Sequence, residues 1–443
     1  MKFHLNFPQS IKLILAVLTI GLFISSCDDS STGPDDEPDT IDVPSAYTFQ
    51  SRFADTSSVA YPGQTVRYLL TQDLKIYTDQ LGSSSYSGGA ITLDDLLKFY
   101  EHDDSENLET ITPIGSFSAK AKQYSTIATG KDLYGKATSP YADVNLVNRD
   151  STADQLIRHY FQEIVDNSND SQKLGTPAVY TTETGVNMSQ MINKLLLGAV
   201  VYSQGTAKYL TIWKDAGNSD PRQSGEPFTE MEHIWDEAFG YFGAARNFSA
   251  FSDSDLANGP VYEDANSDGA INFHSEYNFT YATYAGKRDL GGSDVNFTQN
   301  IFDAFLEGRT AIVNQAPESQ IAAQADIIKE NWEKVVAANV VHYLNSTLGD
   351  MDGVTQSHID NRNHWVLNEH WSEMKAFVYV LQYNDDKMIS DADLSRLDEL
   401  VGQAPPYYLP NSQEANSVRS DYDEIKQLMK STYGFSDTNL ASW

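Results

Sequence analysis

Histidine with a carboxylate three or four residues away is the arrangement in this chain most capable of chemistry. It occurs in Glu230–Gly243, EMEHIWDEAFGYFG, where His233 precedes Asp236 by three residues and Glu237 by four. On a helix these spacings put the side chains on neighbouring positions of one surface. A second copy lies in Asn368–Phe377, NEHWSEMKAF, where His370 precedes Glu373 by three. Such pairs serve two kinds of chemistry. The imidazole and acid can contact a metal or ligand, or the acid can hold a buried imidazole in one tautomer. Trp235 and Phe239 mark the first helix as largely core. Arg246, Arg309 and Lys375 are cations able to claim these acids for a buried network instead.

The elements that position the two motifs come in matching order. A helix ending Lys208-Tyr-Leu precedes the first motif, and one ending His342-Tyr-Leu precedes the second. A polar loop follows each, Lys214 to Phe228 and Asn345 to Asn363, and then comes the histidine helix. The order Tyr-Leu, loop, Glu-His, Trp, Ala-Phe suggests duplication. Apolar residues at spacings of three and four predict further helices over 93–100, 153–165 with Ser151 or Thr152 as N-cap, 185–210, 302–313 and 319–344. The 185–210 segment carries Ile192, Leu195, Leu196, Val200 and Val201 and reads as the most buried helix of the first half. Gly198 and Ser203 within it suggest close helix packing. Strand signals are weak. The expected fold is all-α: two pseudo-repeated helical bundles about a cleft, with an irregular inserted region. The first half covers 45–248, the insertion 249–296 and the second half 297–443.

Within the insertion, Asp264-Ala-Asn-Ser-Asp-Gly-Ala-Ile-Asn272 follows the first nine positions of an EF-hand-type calcium loop. Asp264, Asn266, Asp268 and Asn272 supply side-chain oxygens, Ala270 a carbonyl, and Gly269 the turn. The twelfth position is Ser275, with Glu276 one place late. A plain Asp/Asn/Gly turn is the simpler alternative.

The N-terminus reads as an export signal. Lys2 and Lys12 precede an apolar run from Leu13 to Phe23, too short to span a bilayer, and Ile24-Ser-Ser-Cys27 follows. This end resembles the lipobox of bacterial lipoproteins, which implies cleavage after residue 26 and lipid on Cys27. Cys27 is the single cysteine, so no disulfide is available. Residues 28–44, rich in Asp, Ser and Pro, read as a solvated tether. The formal net charge of -32 argues against nucleic acid and anionic lipid as partners. No HExxH, GxSxG or P-loop pattern is present.

SAYTFQ from Ser45, YPGQT from Tyr61, EHIWDEAFGYFG, DANSDGAIN with SEYN after it, and EHWSEMKAFVYVLQYN together resemble the DUF4856 lipoproteins of Bacteroidota, from about Ser45 to the C-terminus. That family is similar to the imelysin-like proteins, two-bundle helical modules with a G-x-H-x-x-E motif linked to iron regulation. The resemblance places the motif histidine on His233 or His370 and the acid on Asp236 or Glu373. Met231 and Asn368 stand where the motif has Gly. It implies a lipid-anchored envelope protein, of the outer membrane, that binds or relays iron or haem beside an uptake system such as a TonB-dependent receptor. The alternatives are an imelysin-type metallopeptidase and a structural or glycan-binding surface lipoprotein with calcium for stability.

Overall fold

A computed structural model describes residues 40–137 and 152–443. Cys27 and most of the proposed tether lie outside the described residues, as does Ser151. Residues 40–443 form one helical body, with a single two-stranded pairing among the described residues, Ser118–Ala119 alongside Ala270–Ile271 in parallel. No helix of the described residues is long and apolar enough to cross a membrane.

Glu318–Met351 is the longest helix among the described residues. It packs against Phe297–Val313, Trp365–Val380, Thr280–Gly291 and Gln413–Tyr433. Its buried positions run Ile321, Ala325, Ile328, Trp332 and Glu333, and from Val335 to Val341 every residue is buried, all of them apolar but Asn339. A helix enclosed by neighbours needs no polar face there.

The second long axis is the segment from Met188. It is α-helical to Leu196, π-helical over Leu197–Tyr209, and α-helical again to Ile212. Nearly all of it is buried, as its apolar content predicts. Ser203 donates back to the Ala199 carbonyl and Thr206 to the Tyr202 carbonyl, both at 2.7 Å. Close packing depends on its small residues. A Cβ on Gly205 would come within 2.6 Å of the Trp332 ring, and one on Gly198 within 2.9 Å of Tyr383.

Local signals set most helix starts. Thr152 caps Ala153–Ser168 through a capping box with Gln155, and Thr229 caps Glu230–Phe242 through the same device with Glu232. Gly243 ends the latter helix at φ 81°, where a Cβ would also strike Phe279 and Tyr68 at 2.8 Å.

One expected loop is mostly helix. The segment 345–363 continues the long helix to Met351, then turns and forms Gln356–Asn361. Leu344, Thr347, Leu348 and Met351 keep the apolar spacing through Asn345, Ser346 and Gly349. Burial of Leu344, Thr347 and Met351 outweighs the weak helix propensity of those polar residues.

Candidate functional site

In both motif helices the acid three residues after the histidine turns inward and pairs with a cation of another helix. Asp236 is fully buried. It accepts hydrogen bonds from Arg309 Nε at 2.9 Å, the Tyr47 hydroxyl at 2.8 Å and the Ala60 N–H at 3.1 Å. Arg309, also fully buried, reaches Glu232 at 3.1 Å and the Ser58 hydroxyl at 2.9 Å, and stacks over Phe49. Burial works against the Arg309 charge, but Asp236 and Glu232 outweigh it and hold its pKa up. The network ties the 45–60 segment to the first histidine helix, and Tyr47 stacks on Phe239 at 3.7 Å. Asp236 is thus a core residue whose hydrogen bonds go to Arg309, Tyr47 and Ala60.

His233 lies flat on Phe228, with ring centroids 4.9 Å apart. Its Nε2 stands 3.8 Å from Glu237, which accepts from Gln64 at 2.9 Å; its Nδ1 is buried without a hydrogen-bond partner among the described residues. This imidazole is mostly enclosed and faces one acid at long range.

In the second motif Glu373 pairs with Lys194 Nζ at 2.9 Å, and both are buried. Burial opposes the Lys194 charge; Glu373, with the Tyr284 hydroxyl nearby, outweighs it. Glu373 is therefore not the partner of His370. That partner is Asp350, which accepts from His370 Nδ1 at 2.7 Å. The hydrogen bond to Asp350 raises the His370 pKa against the effect of burial. The His370 side chain is 29% exposed, so the ring is partly open to solvent.

Around His370 the structure gathers residues that the motif search missed. Tyr343 lies 6.1 Å from its ring and faces Tyr284 and Glu373. His342, Lys287 and Arg288 lie close by. Burial lowers the His342 pKa to about 3, helped by Arg288, His370 and Lys287. Asp350 sits on the helical extension that sequence reading placed in a loop. Its apolar spacing was the signal that would have found it. The arrangement can orient one imidazole nitrogen outward and hold anionic groups beside it.

The two histidines have separate surroundings: Phe228, Glu237 and Gln64 for one, Asp350 and Tyr343 for the other. Both helices pack on the Leu197–Tyr209 segment; beyond it Glu230–Phe242 lies on Pro62–Leu81 and Phe297–Val313, and Trp365–Val380 on Met188–Leu196 and Glu318–Met351. Among the described residues no group of three or more His, Cys, Asp or Glu side chains is placed to hold a metal ion.

The 264–276 loop turns its oxygens on its own backbone. Asp264 accepts from the N–H groups of Asp268 and Gly269, Asn266 from Asp268, Asp268 from Ala270, and Asn272 from His274. Glu276 is buried and accepts from the Asn272 N–H at 2.8 Å. Gly269 takes φ 83° at the turn. The Lys120 ammonium bonds Asp268 at 2.7 Å, with Asp264 and Glu276 close enough to act on its charge. The Lys120 ammonium thus pairs with Asp268 alone among the described residues, and the loop is preceded by only the six-residue helix Asp253–Asn258, while the next helix begins at Thr280.

No curated protein and no solved structure matches the chain. A family described as "Domain of unknown function (DUF4856)" matches residues 44–400, a span that takes in both histidine helices, the Arg309 network and the 264–276 loop. The chain therefore belongs to the DUF4856 family.

Proposed function

We propose that this protein is a non-enzymatic binding lipoprotein of the bacterial cell envelope, anchored through Cys27, that takes up haem at His370 beside an outer-membrane uptake system. The observation that carries the reading is the Asp350–His370 hydrogen bond. In the neutral ring it holds the proton on Nδ1 and leaves the Nε2 lone pair for a ligand at a partly exposed position. Bare iron fits the donor set poorly: Asp350 is held by His370 and Glu373 by Lys194, so one imidazole would stand alone. Haem brings its own four nitrogens and asks the protein for an axial ligand only. A metallopeptidase of the imelysin type needs about three protein ligands and an activated water, and the same shortage speaks against it.

A second reading, a structural or glycan-binding surface lipoprotein stabilised by calcium, rests on the spacing of Asp264, Asn266, Asp268 and Asn272 about the Gly269 turn. Lys120 is the competitor a calcium ion would have to displace.

Haem titration followed by absorbance tests the first reading. Wild type and His233→Gln should give an imidazole-ligated spectrum, and His370→Gln should lose it. Unchanged haem binding in His370→Gln would sink the assignment. Metal analysis of purified protein separates the others: zinc with peptidase activity favours the peptidase, calcium alone the structural module. Cys27→Ala should move the protein from membrane to soluble fractions, and unchanged fractionation would defeat the anchor.

A further inference from the structure

Helix Thr280–Gly291 carries two adjacent cations, Lys287 and Arg288, beside His342 and Tyr343 of the long helix. Arg288 is only 6% exposed, and its Nε and Nη1 are buried without hydrogen-bond partners among the described residues. A buried guanidinium without a carboxylate is costly. It is also out of character in a chain with 62 Asp and Glu against 30 Lys and Arg. The acids nearby are committed elsewhere. Asp289 accepts from the Phe297 and Thr298 N–H groups and the Thr298 hydroxyl. Glu373 is held by Lys194 and Asp350 by His370.

Beyond those committed acids, the charged group next to Arg288 is Lys287, on which Lys194 of helix Met188–Leu196 and Glu373 both act; His342, which burial holds neutral, faces Arg288 from the long helix. The remaining polar neighbours are the Tyr284 and Tyr343 hydroxyls. None of these neighbours is a carboxylate free to pair with Arg288, whose backbone is held by the Trp443 indole, which donates to the Arg288 carbonyl at 2.8 Å. A planar guanidinium with an ammonium beside it suits the oxygens of a carboxylate or phosphate. Lys287 and Tyr284 also line a cavity of about 250 Å³. Asn278 lines the same cavity, and its Nδ2 is buried without a partner among the described residues.

We propose that Arg288 and Lys287 form a binding site for a small oxyanion, a carboxylate or phosphate group, beside the cavity that Lys287 lines. The proposal does not depend on haem, and its probes contain no iron.

Thermal melts of the full chain at constant ionic strength test it, with inorganic phosphate, acetate or chloride as the varied anion. Phosphate should raise the melting temperature saturably above the chloride control. A matching response to acetate identifies carboxylate as the natural group, and a response to phosphate alone identifies a phosphate. Lys287→Gln, at a partly exposed position, should fold normally and weaken the apparent affinity about tenfold. Arg288→Met should abolish the response. Identical wild-type melts in phosphate, acetate and chloride would overturn the proposal. So would a full response in folded Arg288→Met, or, if that variant does not fold, an undiminished response in Lys287→Gln.

Discussion

Asp350 and His370, twenty residues apart in sequence and on different helices, share a 2.7 Å hydrogen bond. The acid one turn after His370 on its own helix is engaged with Lys194 instead. Local spacing put Glu373 near the imidazole, but a buried lysine drew it inward. That exchange of partners leaves the imidazole oriented from outside its helix.

Asp350→Asn should therefore lower the His370 pKa, read from the imidazole resonances in a pH titration. Because the folded value lies above the unfolded one, the pair stabilises fully below the unfolded pKa near 6.5. The contribution fades as pH rises through the folded value. The wild type should lose about 1 kcal/mol over that interval relative to the variant. An unmoved His370 titration would show that Asp350 does not govern the ring.

Arg309→Met should destabilise by about 3–5 kcal/mol, because Asp236 and Glu232 would remain buried without their cation. Denaturant unfolding measures the change. Haem binding by whatever protein stays folded should be intact, since His370 lies outside this network. A loss below about 1 kcal/mol would mean that the core solvates those acids without Arg309.

Glu333 supplies a pH signature from the core. It accepts hydrogen bonds from the Met388 and Ile389 N–H groups, the Tyr433 hydroxyl and Asn384, with no cation among these partners. Burial pushes its pKa up to about 7. The sign follows from a folded value above the unfolded one: stability is full below the unfolded carboxyl pKa and falls as pH rises through about 7. Urea unfolding should show about 3 kcal/mol less stability at high pH from this group. Glu333→Gln should flatten the profile by that amount. Parallel profiles for variant and wild type would refute the assignment.

The 264–276 loop allows a test with two opposite variants. If the loop binds calcium, millimolar calcium should raise the melting temperature by a few degrees, and chelator should reverse it. Asp264→Ala with Asp268→Ala should remove the effect. Lys120→Met, which deletes the competing ammonium, should strengthen it. Melting indifferent to chelator in both wild type and Lys120→Met would leave an ordinary turn braced by Lys120.

The sequence alone determined the class of fold and most of its helices, because periodicity and capping are local. Thr152 with Gln155 and Thr229 with Glu232 start helices through contacts three residues apart, and the apolar run from Met188 announces its own burial. It also carried the motifs by which the chain falls into its family. Tertiary structure decided which charges meet. Asp236 with Arg309 and Glu373 with Lys194 are joined across helices. Arg309 was among the cations named as possible partners for these acids, but nothing in the spacing ranked it above Lys375, which pairs with Asp398. Asp350 was hidden for the opposite reason: a polar stretch that reads as loop stays helical because Leu344, Thr347 and Met351 are buried by their neighbours. Local sequence sets where a helix can form. The competition among buried charges, settled only once the helices pack, sets which histidine faces outward and what holds it.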